Sequence, residues 1–353
     1  IAYLMACGLL ATCSAAYRFS PVRSFGPRCM TMRGGIDCPT IPLHDGTPHP
    51  MIGFGTYKVG FIPASASSAA PTSGGAASNT GPSARECVRM ALEVGYRFLD
   101  CAQFYGNEKE VGAAIRDSKV PRADIFIASK VWCDNIYRGR EAVRKQVLQS
   151  LQDLQTDYLD LYLVHWPVPG KHVEAYQELE QLKDKGLVRN ISLSNYAIED
   201  YQELAAVMRT PPAVNQIEVN PFLYRRQTVD FFQSRGVVVQ SYRSLRDGKA
   251  FNDPVILEVA AKHKCSPAQI LGRWCLQKKV VFIPKSVRRE RMEENMRVTD
   301  FALDDSDMAR LDALTTPQAK EVFLTLYRKC VLRDTPLENT SEGARRLRDI
   351  TVH

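Results

Sequence analysis

The chain has 353 residues, of which 45% are hydrophobic and 24% are charged, and this composition is that of a globular protein with a sizeable core. The formal net charge of +7 includes four arginines in the first 35 residues, where there is no acid, and no basic stripe with interleaved aromatics indicates nucleic-acid binding. The ten cysteines include no CxxC pair and no zinc-like cluster, which argues against a disulfide framework and a structural metal.

The first 35 residues predict a targeting leader or a disordered N-terminus. IAYLMACGLLATCSAA is a short apolar run that ends in small residues, and YRFSPVRSFGPRCMTMR after it is rich in Arg and Ser. This order resembles a bipartite leader for plastids of secondary origin, while a secretory signal and a plain transit peptide remain alternatives. The compartment, cytoplasmic or plastid, stays open, and we expect no membrane span in the mature protein.

From residue 36 onward, strand-like runs alternate with helical patterns. The eight predicted strands are IGFGTYKV, YRFLDCA, DIFIASKVW, YLDLYLVHW, VRNISLSN, AVNQIEVN, VVVQSYRSL and VVFIPKS. Near-continuous apolar strands favour a parallel sheet covered by helices, and eight such units predict an α/β fold of the (β/α)8 TIM-barrel type. A doubly wound open sheet is the alternative, but no GxGxxG follows the first strand.

Two segments interrupt or follow this pattern. Residues 61–83 are rich in Ala, Ser, Gly and Pro and carry no charge, so they predict a low-complexity loop between the first strand and the first helix. Whether this insertion partly covers the barrel mouth or has no role remains open. We expect the barrel domain to span residues 36–335 and a charged C-terminal tail to span residues 336–353.

Four chemically active side chains lie at or just after the ends of predicted strands, namely Asp100, Tyr105, Lys130 and His165. The carboxyl ends of parallel barrel strands meet at one mouth, where barrel enzymes carry their active sites. An acid, a phenol, an amine and an imidazole in one place suggest proton-coupled carbonyl chemistry. Each residue alone has an ordinary structural explanation, such as a turn cap, a rim aromatic, a solvated strand end or a core histidine.

Several motifs in order make residues 45 to about 316 resemble the aldo-keto reductases. They are GFGTYK, GYRFLDCAQFYGNEKEVG, ASKVW, YLDLYLVHWP, ISLSNY, PAVNQIEVNP and IPKSVRRERMEEN. The resemblance implies a monomer that uses NADPH to reduce small-molecule aldehydes and ketones, with Tyr105 as general acid. It implies that Lys130, held by Asp100, lowers the pKa of Tyr105, and that His165 orients the carbonyl oxygen.

The resemblance also implies a cofactor site. The nicotinamide end is assigned to Ser194, Asn195, Gln216 and Tyr242; the 2′-phosphate and adenine end to Lys285, Ser286, Arg291, Glu294 and Asn295; and the intervening loop to Leu245. Cations and a hydroxyl near a helix N-terminus suit a phosphate dianion, although a solvated basic turn is the alternative. The loop from Arg243 to Gly248 lacks the Ser-Pro pair common in the family, so its arginines are expected either to contact the pyrophosphate or to be solvated.

The resemblance places an aromatic substrate pocket at the mouth, formed by Phe54, Tyr57, Phe104, Trp132 and Trp166. Core packing is the alternative for Phe54 and Phe104. The C-terminal segment PQAKEVFLTLYRKCVLRDTPLENTSEG contains no motif that names a substrate. A second function remains open, in which the chain is an NADP(H)-binding redox-sensing subunit with little turnover.

Overall fold

The computed structural model describes residues 38–60, 81–348 and 350–353. The predicted leader lies outside these ranges. Residues 61–80 of the predicted insertion also lie outside them, at the expected point between the first barrel strand and the first helix. Among the described residues, none of the helices combines the length and the apolar character that a bilayer crossing requires.

The barrel is one sheet of eight parallel strands in chain order, preceded by a small antiparallel hairpin. The hairpin strands are β1 (Thr40–Pro42) and β2 (Pro48–Pro50), and the barrel strands are β3 (Phe54–Gly55), β4 (Phe98–Asp100), β5 (Phe126–Val131), β6 (Leu159–Val164), β7 (Val188–Ser194), β8 (Val214–Glu218), β9 (Val238–Tyr242) and β10 (Val280–Phe282). The N–H of Gly53 donates to the Phe282 carbonyl at 2.8 Å, and the N–H of Phe282 donates to the Met51 carbonyl at 2.8 Å. These bonds join the first and last barrel strands, so the predicted (β/α)8 fold is confirmed.

Helices surround the barrel and connect its strands. They are α1 (Ala84–Val94), α2 (Glu108–Asp117), α3 (Cys133–Arg138), α4 (Arg140–Asp153), α5 (His172–Asp184), α6 (Ile198–Ala205), α7 (Arg226–Gln233), α8 (Pro254–His263), α9 (Pro267–Gln277), α10 (Arg289–Met296), α11 (Asp305–Asp312), α12 (Pro317–Val331) and α13 (Ser341–Arg346). Local signals set their ends, as at α1, where Ser83 and Glu86 form a capping box and Gly95 closes the helix with φ 117°. The hairpin, α3, α11 and α12 are additions to the predicted pattern.

Strand register decides which side chains face the barrel interior. Residues paired across parallel strands point to the same face, and one such row joins Gln216 of β8 to Gln240 of β9. The lower interior is a separate apolar cluster that includes Phe98, Phe126 and Leu161. The polar interior residues lie above this floor, toward the carboxyl ends of the strands, and this arrangement places them at the mouth.

The C-terminal segment packs on the barrel. Tyr327 of α12 donates its hydroxyl to the half-buried Asp200 carboxylate at 3.0 Å. Farther along, Leu347 is buried, and the Thr228 hydroxyl donates to the carbonyl of His353 at 3.0 Å. The predicted charged tail is therefore docked against the body of the protein in its described residues.

Candidate active site

The four predicted catalytic side chains meet at the mouth around a buried ammonium group. Lys130 Nζ donates to Asp100 Oδ1 at 2.7 Å, to the Cys101 carbonyl at 2.8 Å and to the Tyr105 hydroxyl at 3.1 Å. Both members of the ion pair are buried, with 0% of the Lys130 side chain and 5% of the Asp100 side chain exposed. A buried charge pair of this kind persists only when its hydrogen bonds are satisfied, and here all three protons of the ammonium have acceptors.

Tyr105 is held in place by the short turn that follows β4. Gly106 ends this turn with φ 69°, a conformation in which glycine carries no Cβ penalty. The side chain of Asn107 then donates to the carbonyls of Thr56 and Val59 at 2.9 and 3.0 Å, which ties the turn to the loop after β3. The phenol is thereby fixed beside Lys130 before any ligand binds.

The predicted lowering of the Tyr105 pKa is wrong for this arrangement of protein groups. Burial raises the pKa of the phenol well above its ordinary value, and the negative charge of Asp100 raises it further. The charge of Lys130 does not reverse this effect because Asp100 neutralises it at 2.7 Å. Tyr105 is therefore a neutral phenol across the physiological range, which is the protonation state of a proton donor.

His165 faces the same site as a neutral imidazole. Burial, together with the nearby charge of Lys130, lowers the pKa of His165 well below its ordinary value. Its ring lies 4.9 Å from Trp132 and 6.0 Å from Tyr105, in edge-on contact with both. Its Nδ1 atom is buried and has no hydrogen-bond partner among the described residues. A neutral, preoriented imidazole next to a phenol suits the binding of a carbonyl oxygen.

The residues predicted to bind the nicotinamide lie together at the ends of β7, β8 and β9. The Tyr242 hydroxyl donates to Asn195 Oδ1 at 2.7 Å, and Asn195 Nδ2 donates to the His165 carbonyl at 3.0 Å and to Ser194 Oγ at 3.1 Å. Gln216 Nε2 donates to Asp100 Oδ1 at 2.8 Å. The structure therefore connects these polar residues directly to the four predicted catalytic side chains (the quartet).

The residues predicted to bind the 2′-phosphate precede and begin α10. Lys285 and Arg291 are exposed, whereas Ser286 is buried and its hydroxyl accepts the N–H of Arg288 at 3.1 Å. Exposed cations at the N-terminus of a helix oppose its dipole, and a bound phosphate would relieve this repulsion. Asn295 is buried with no hydrogen-bond partner for Oδ1 among the described residues, and Glu294 is half-buried beside it. These groups fit the phosphate and adenine of a dinucleotide.

Three predicted pocket aromatics line the mouth next to the quartet. Phe104 stacks on Trp132 with 3.9 Å between ring centroids, and Tyr57 lies 5.2 Å from the Tyr105 ring. Tyr57 is 43% exposed, so it forms the outer rim. Trp132 is additionally fixed by its indole N–H, which donates to Asp334 of the C-terminal segment at 2.7 Å. The result is an aromatic wall beside the proton donor.

The other two predicted pocket aromatics, Phe54 and Trp166, have different surroundings. Phe54 pairs in register with Leu99 and its ring contacts Tyr96 at 5.6 Å, so it faces the outer helices and not the mouth. Its prediction as a pocket residue is wrong, because it lies on the opposite face of the sheet from Asp100. Trp166 is 5% exposed and packs edge-on against Tyr327 of α12, and its predicted contact with the substrate stays a prediction.

Comparison with known proteins gives a consistent result. The model of the aldo/keto reductase family matches residues 68–316. Glyoxal reductase of Bacillus subtilis (strain 168) is 36% identical over 275 residues, which cover 78% of this chain and 92% of the relative. Methylglyoxal reductase DkgB of Escherichia coli O157:H7 is 40% identical over 231 residues, which cover 64% of this chain and 86% of the relative.

A solved structure agrees with these relatives. The aldo-keto reductase of Bombyx mori in complex with NADP matches with a TM-score of 0.69 and 29% identity, over 80% of this chain and 94% of that one. This chain belongs to the aldo/keto reductase family. The family assignment makes the protein an oxidoreductase and confirms the resemblance drawn from its motifs.

The loop after β9 departs from the family pattern, and its Arg243 is held by two carboxylates. Arg243 Nη1 lies 3.1 Å from Glu218, and Arg243 Nη2 lies 3.5 Å from Asp247. Arg246 places its guanidinium 4.7 Å from the Phe222 ring, and Leu245 is half-buried against the core. Arg243 is thus paired and not simply solvated, while a contact of either arginine with a cofactor pyrophosphate stays a prediction.

Three residues that contact the reductase site directly or through Gln216 were missed by sequence reasoning. Asp334 binds Trp132, and Gln240 and His49 extend the hydrogen bonds of Gln216 into the barrel floor. A signal for Gln240 was available, because a glutamine interrupts the apolar run VVVQSY. No sequence signal pointed to Asp334, because it lies about 200 residues after Trp132 and contacts it only where the C-terminal segment folds back.

A pH profile of carbonyl reduction tests the protonation states of this site. Because the pKa of Tyr105 is raised and that of His165 is lowered, both groups keep their active, neutral forms between about pH 6 and about pH 9. We expect kcat/KM for reduction to vary less than about threefold across this range. Steady-state rates in a constant-ionic-strength buffer series measure it. A loss of activity between about pH 7 and about pH 8 would mean that Lys130 does lower the Tyr105 pKa.

Proposed function

We propose that this protein is a monomeric, NADPH-dependent carbonyl reductase that converts aldehydes and ketones to alcohols. The observation that carries the proposal is the Tyr105 hydroxyl at 3.1 Å from a buried, fully bonded Lys130, beside neutral His165 and an aromatic wall. NADPH, when bound, supplies a hydride to the carbonyl carbon. The residues of the chain supply the proton and hold the carbonyl in place.

The proposed mechanism assigns one task to each residue. His165 binds and orients the carbonyl oxygen, and Tyr105 gives its proton to that oxygen as negative charge develops there. Lys130 stabilises the phenolate that remains, because its ammonium already contacts the Tyr105 hydroxyl. Asp100 fixes the position of Lys130 by accepting a hydrogen bond from its ammonium at 2.7 Å. Phe104 and Trp132 exclude water from the reacting carbonyl and accept apolar substituents with modest discrimination.

NADPH is proposed over NADH because the adenosine end carries an excess of cations. Lys285, Arg288 and Arg291 lie before or in the first turn of α10, where the backbone N–H groups also favour an anion. A 2′-phosphate would satisfy these groups, whereas the 2′-hydroxyl of NADH would not. The Bombyx mori relative, whose structure is described as a complex with NADP, supports the choice.

One experiment tests both the activity and the cofactor. The purified protein is assayed with glyoxal, methylglyoxal, aldoses and aromatic aldehydes, with NADPH and NADH as alternative reductants. We expect turnover with the small dicarbonyls, which the named activities of the two bacterial relatives suggest, and a kcat/KM at least about tenfold higher with NADPH. Replacement Arg291→Ala should reduce this preference, while Arg297→Ala, at the C-cap just after α10, should not.

The outcomes separate the alternatives. Equal efficiency with NADH would overturn the 2′-phosphate assignment while leaving the reductase intact. Tight binding of NADPH with negligible turnover of every carbonyl would favour the redox-sensing subunit instead.

A further inference from the structure

The path of a dinucleotide across the barrel mouth passes the loop after β9. The groups assigned to the nicotinamide end with Tyr242 on β9, and those assigned to the 2′-phosphate begin with Lys285, just after β10. These two strands are neighbours in the sheet, so a diphosphate that joins the two halves of a cofactor has to cross between their carboxyl ends. Arg243 directly follows Tyr242, and its backbone therefore lies at this crossing.

The guanidinium of Arg243 is turned toward two acids of the chain. Its Nη1 donates to Glu218 Oε2 on the neighbouring strand β8 at 3.1 Å, and its Nη2 lies 3.5 Å from Asp247. Only 9% of the Glu218 side chain is exposed, compared with 69% for Asp247. Water screens the contact with Glu218 less, so this carboxylate is the acid that chiefly holds Arg243.

The backbone of the same loop is in an unfavourable conformation. Arg243, Arg246 and Asp247 have φ angles of 50°, 49° and 56°, in the left-handed region that residues with a Cβ atom rarely adopt. Interactions of the surrounding structure have to maintain such a conformation. The ion pair between Arg243 and Glu218 is one of these interactions, and a ligand that attracts Arg243 more strongly would break it.

Glu218 has other cations nearby if Arg243 leaves. Burial raises the pKa of the Glu218 carboxyl, and the charge of Arg243 opposes this rise, as do the charges of Arg246 and Arg225. Arg225 is 1% exposed, and its Nε and Nη1 atoms have no hydrogen-bond partner among the described residues. The departure of Arg243 therefore does not leave a buried carboxylate without any cation, which would be the costly outcome.

We propose that Glu218 and the diphosphate of the dinucleotide compete for Arg243, so that the ion pair between Glu218 and Arg243 is an autoinhibitory contact that weakens cofactor binding. Glu218 is then a positioning residue, because it acts on the cofactor only through Arg243. This inference rests on the proposed function, since it requires a bound dinucleotide.

The test compares the equilibrium binding of NADP⁺ with that of adenosine 2′-monophosphate, which has the adenine and the 2′-phosphate but no diphosphate. Isothermal titration calorimetry gives both dissociation constants without turnover. Glu218→Gln should bind NADP⁺ about tenfold more tightly than the wild-type protein, because Arg243 no longer has to leave a carboxylate. Its affinity for adenosine 2′-monophosphate should change by less than about twofold.

A second variant separates competition for Arg243 from simple repulsion between Glu218 and the diphosphate. Arg243→Gln should bind NADP⁺ about tenfold more weakly than the wild-type protein. The double variant, Glu218→Gln with Arg243→Gln, should bind it as weakly as Arg243→Gln alone, because the gain requires the guanidinium. Simple repulsion predicts instead that Glu218→Gln improves binding in both backgrounds.

Glu178→Gln is the matched control. Glu178 is a fully buried carboxylate that lies 2.8 Å from Arg144, between two outer helices. The loss of its charge should leave both dissociation constants unchanged. If Glu218→Gln does not fold, Glu218→Asp takes its place, because it keeps a charge near Arg225 but is too short for the 3.1 Å contact with Arg243. It should bind NADP⁺ about threefold more tightly.

Unchanged NADP⁺ affinity in a folded Glu218 variant, unchanged affinity in Arg243→Gln, or an equal gain from Glu218→Gln in the Arg243→Gln background would overturn the competition. A gain that extends to adenosine 2′-monophosphate would overturn it too, since that ligand has no diphosphate. Failure of the wild-type protein to bind NADP⁺ would instead contradict the proposed function.

Discussion

Replacement of Tyr105 by phenylalanine is expected to reduce kcat for carbonyl reduction by about a thousandfold or more, within the range measured for the loss of a general acid. The change removes one oxygen atom and leaves the ring contacts with Tyr57 and His165 in place. The carbonyl oxygen then has no proton donor beside Lys130. Stopped-flow or steady-state consumption of NADPH measures the effect.

The effect should be confined to the chemical step. The dissociation constant of NADPH should change by less than about threefold, since the phenol is assigned to proton transfer and not to the nicotinamide. Tyr57→Phe is the matched control: its phenol is 43% exposed at the rim, and its ring lies 5.2 Å from that of Tyr105. It should retain most of the activity. A Tyr105→Phe variant with more than about a tenth of the wild-type kcat would show that another group gives the proton.

Much of this site was predictable because barrel topology converts chain order into proximity. Asp100, Lys130 and His165 follow three successive apolar runs, and the carboxyl ends of neighbouring parallel strands lie about 4.8 Å apart. The strands themselves were recognisable from their length and branched residues, and all eight are confirmed. Such inferences need only the local pattern and the handedness of β-α-β connections.

Other features depended on details that no local pattern carries. Phe54 was placed at the mouth by its motif, but its pairing with Leu99 turns it toward the helices. The Tyr105 pKa was predicted to fall because Lys130 is adjacent, whereas burial and the neutralising Asp100 decide its direction. The hydrogen bonds from Gln216 through Gln240 to His49 required the register of β8 and β9 and the position of the hairpin beneath them. These outcomes depend on side-chain directions and on burial, which are determined only when the barrel closes.

The second large effect concerns the ion pair beneath Tyr105. Lys130→Met removes the ammonium but leaves the Asp100 carboxylate buried, and an unpaired buried charge typically costs about 3 to 5 kcal/mol of the free energy of unfolding. We expect that loss in urea denaturation followed by tryptophan fluorescence. The same change should lower kcat by about a hundredfold or more, because the phenolate of Tyr105 loses its stabilising cation.

A double variant separates stability from catalysis. In Lys130→Met with Asp100→Asn the site has no net charge to bury, and the asparagine oxygen can still accept from Gln216. Most of the lost stability should therefore return, whereas kcat should stay as low as in Lys130→Met. Recovery of both quantities together would mean that Lys130 acts only by neutralising Asp100 and that Tyr105 works without a neighbouring cation.

An ion pair between two outer helices provides a control for stability. Arg144 on α4 lies 2.8 Å from the fully buried carboxylate of Glu178 on α5, away from the quartet. Arg144→Met also leaves a buried carboxylate without its cation, so it should destabilise the protein measurably. Its kcat should remain at the wild-type value. If Arg144→Met also lost turnover, loss of folding stability would explain the Lys130 result, and the assignment of Lys130 to phenolate stabilisation would fail.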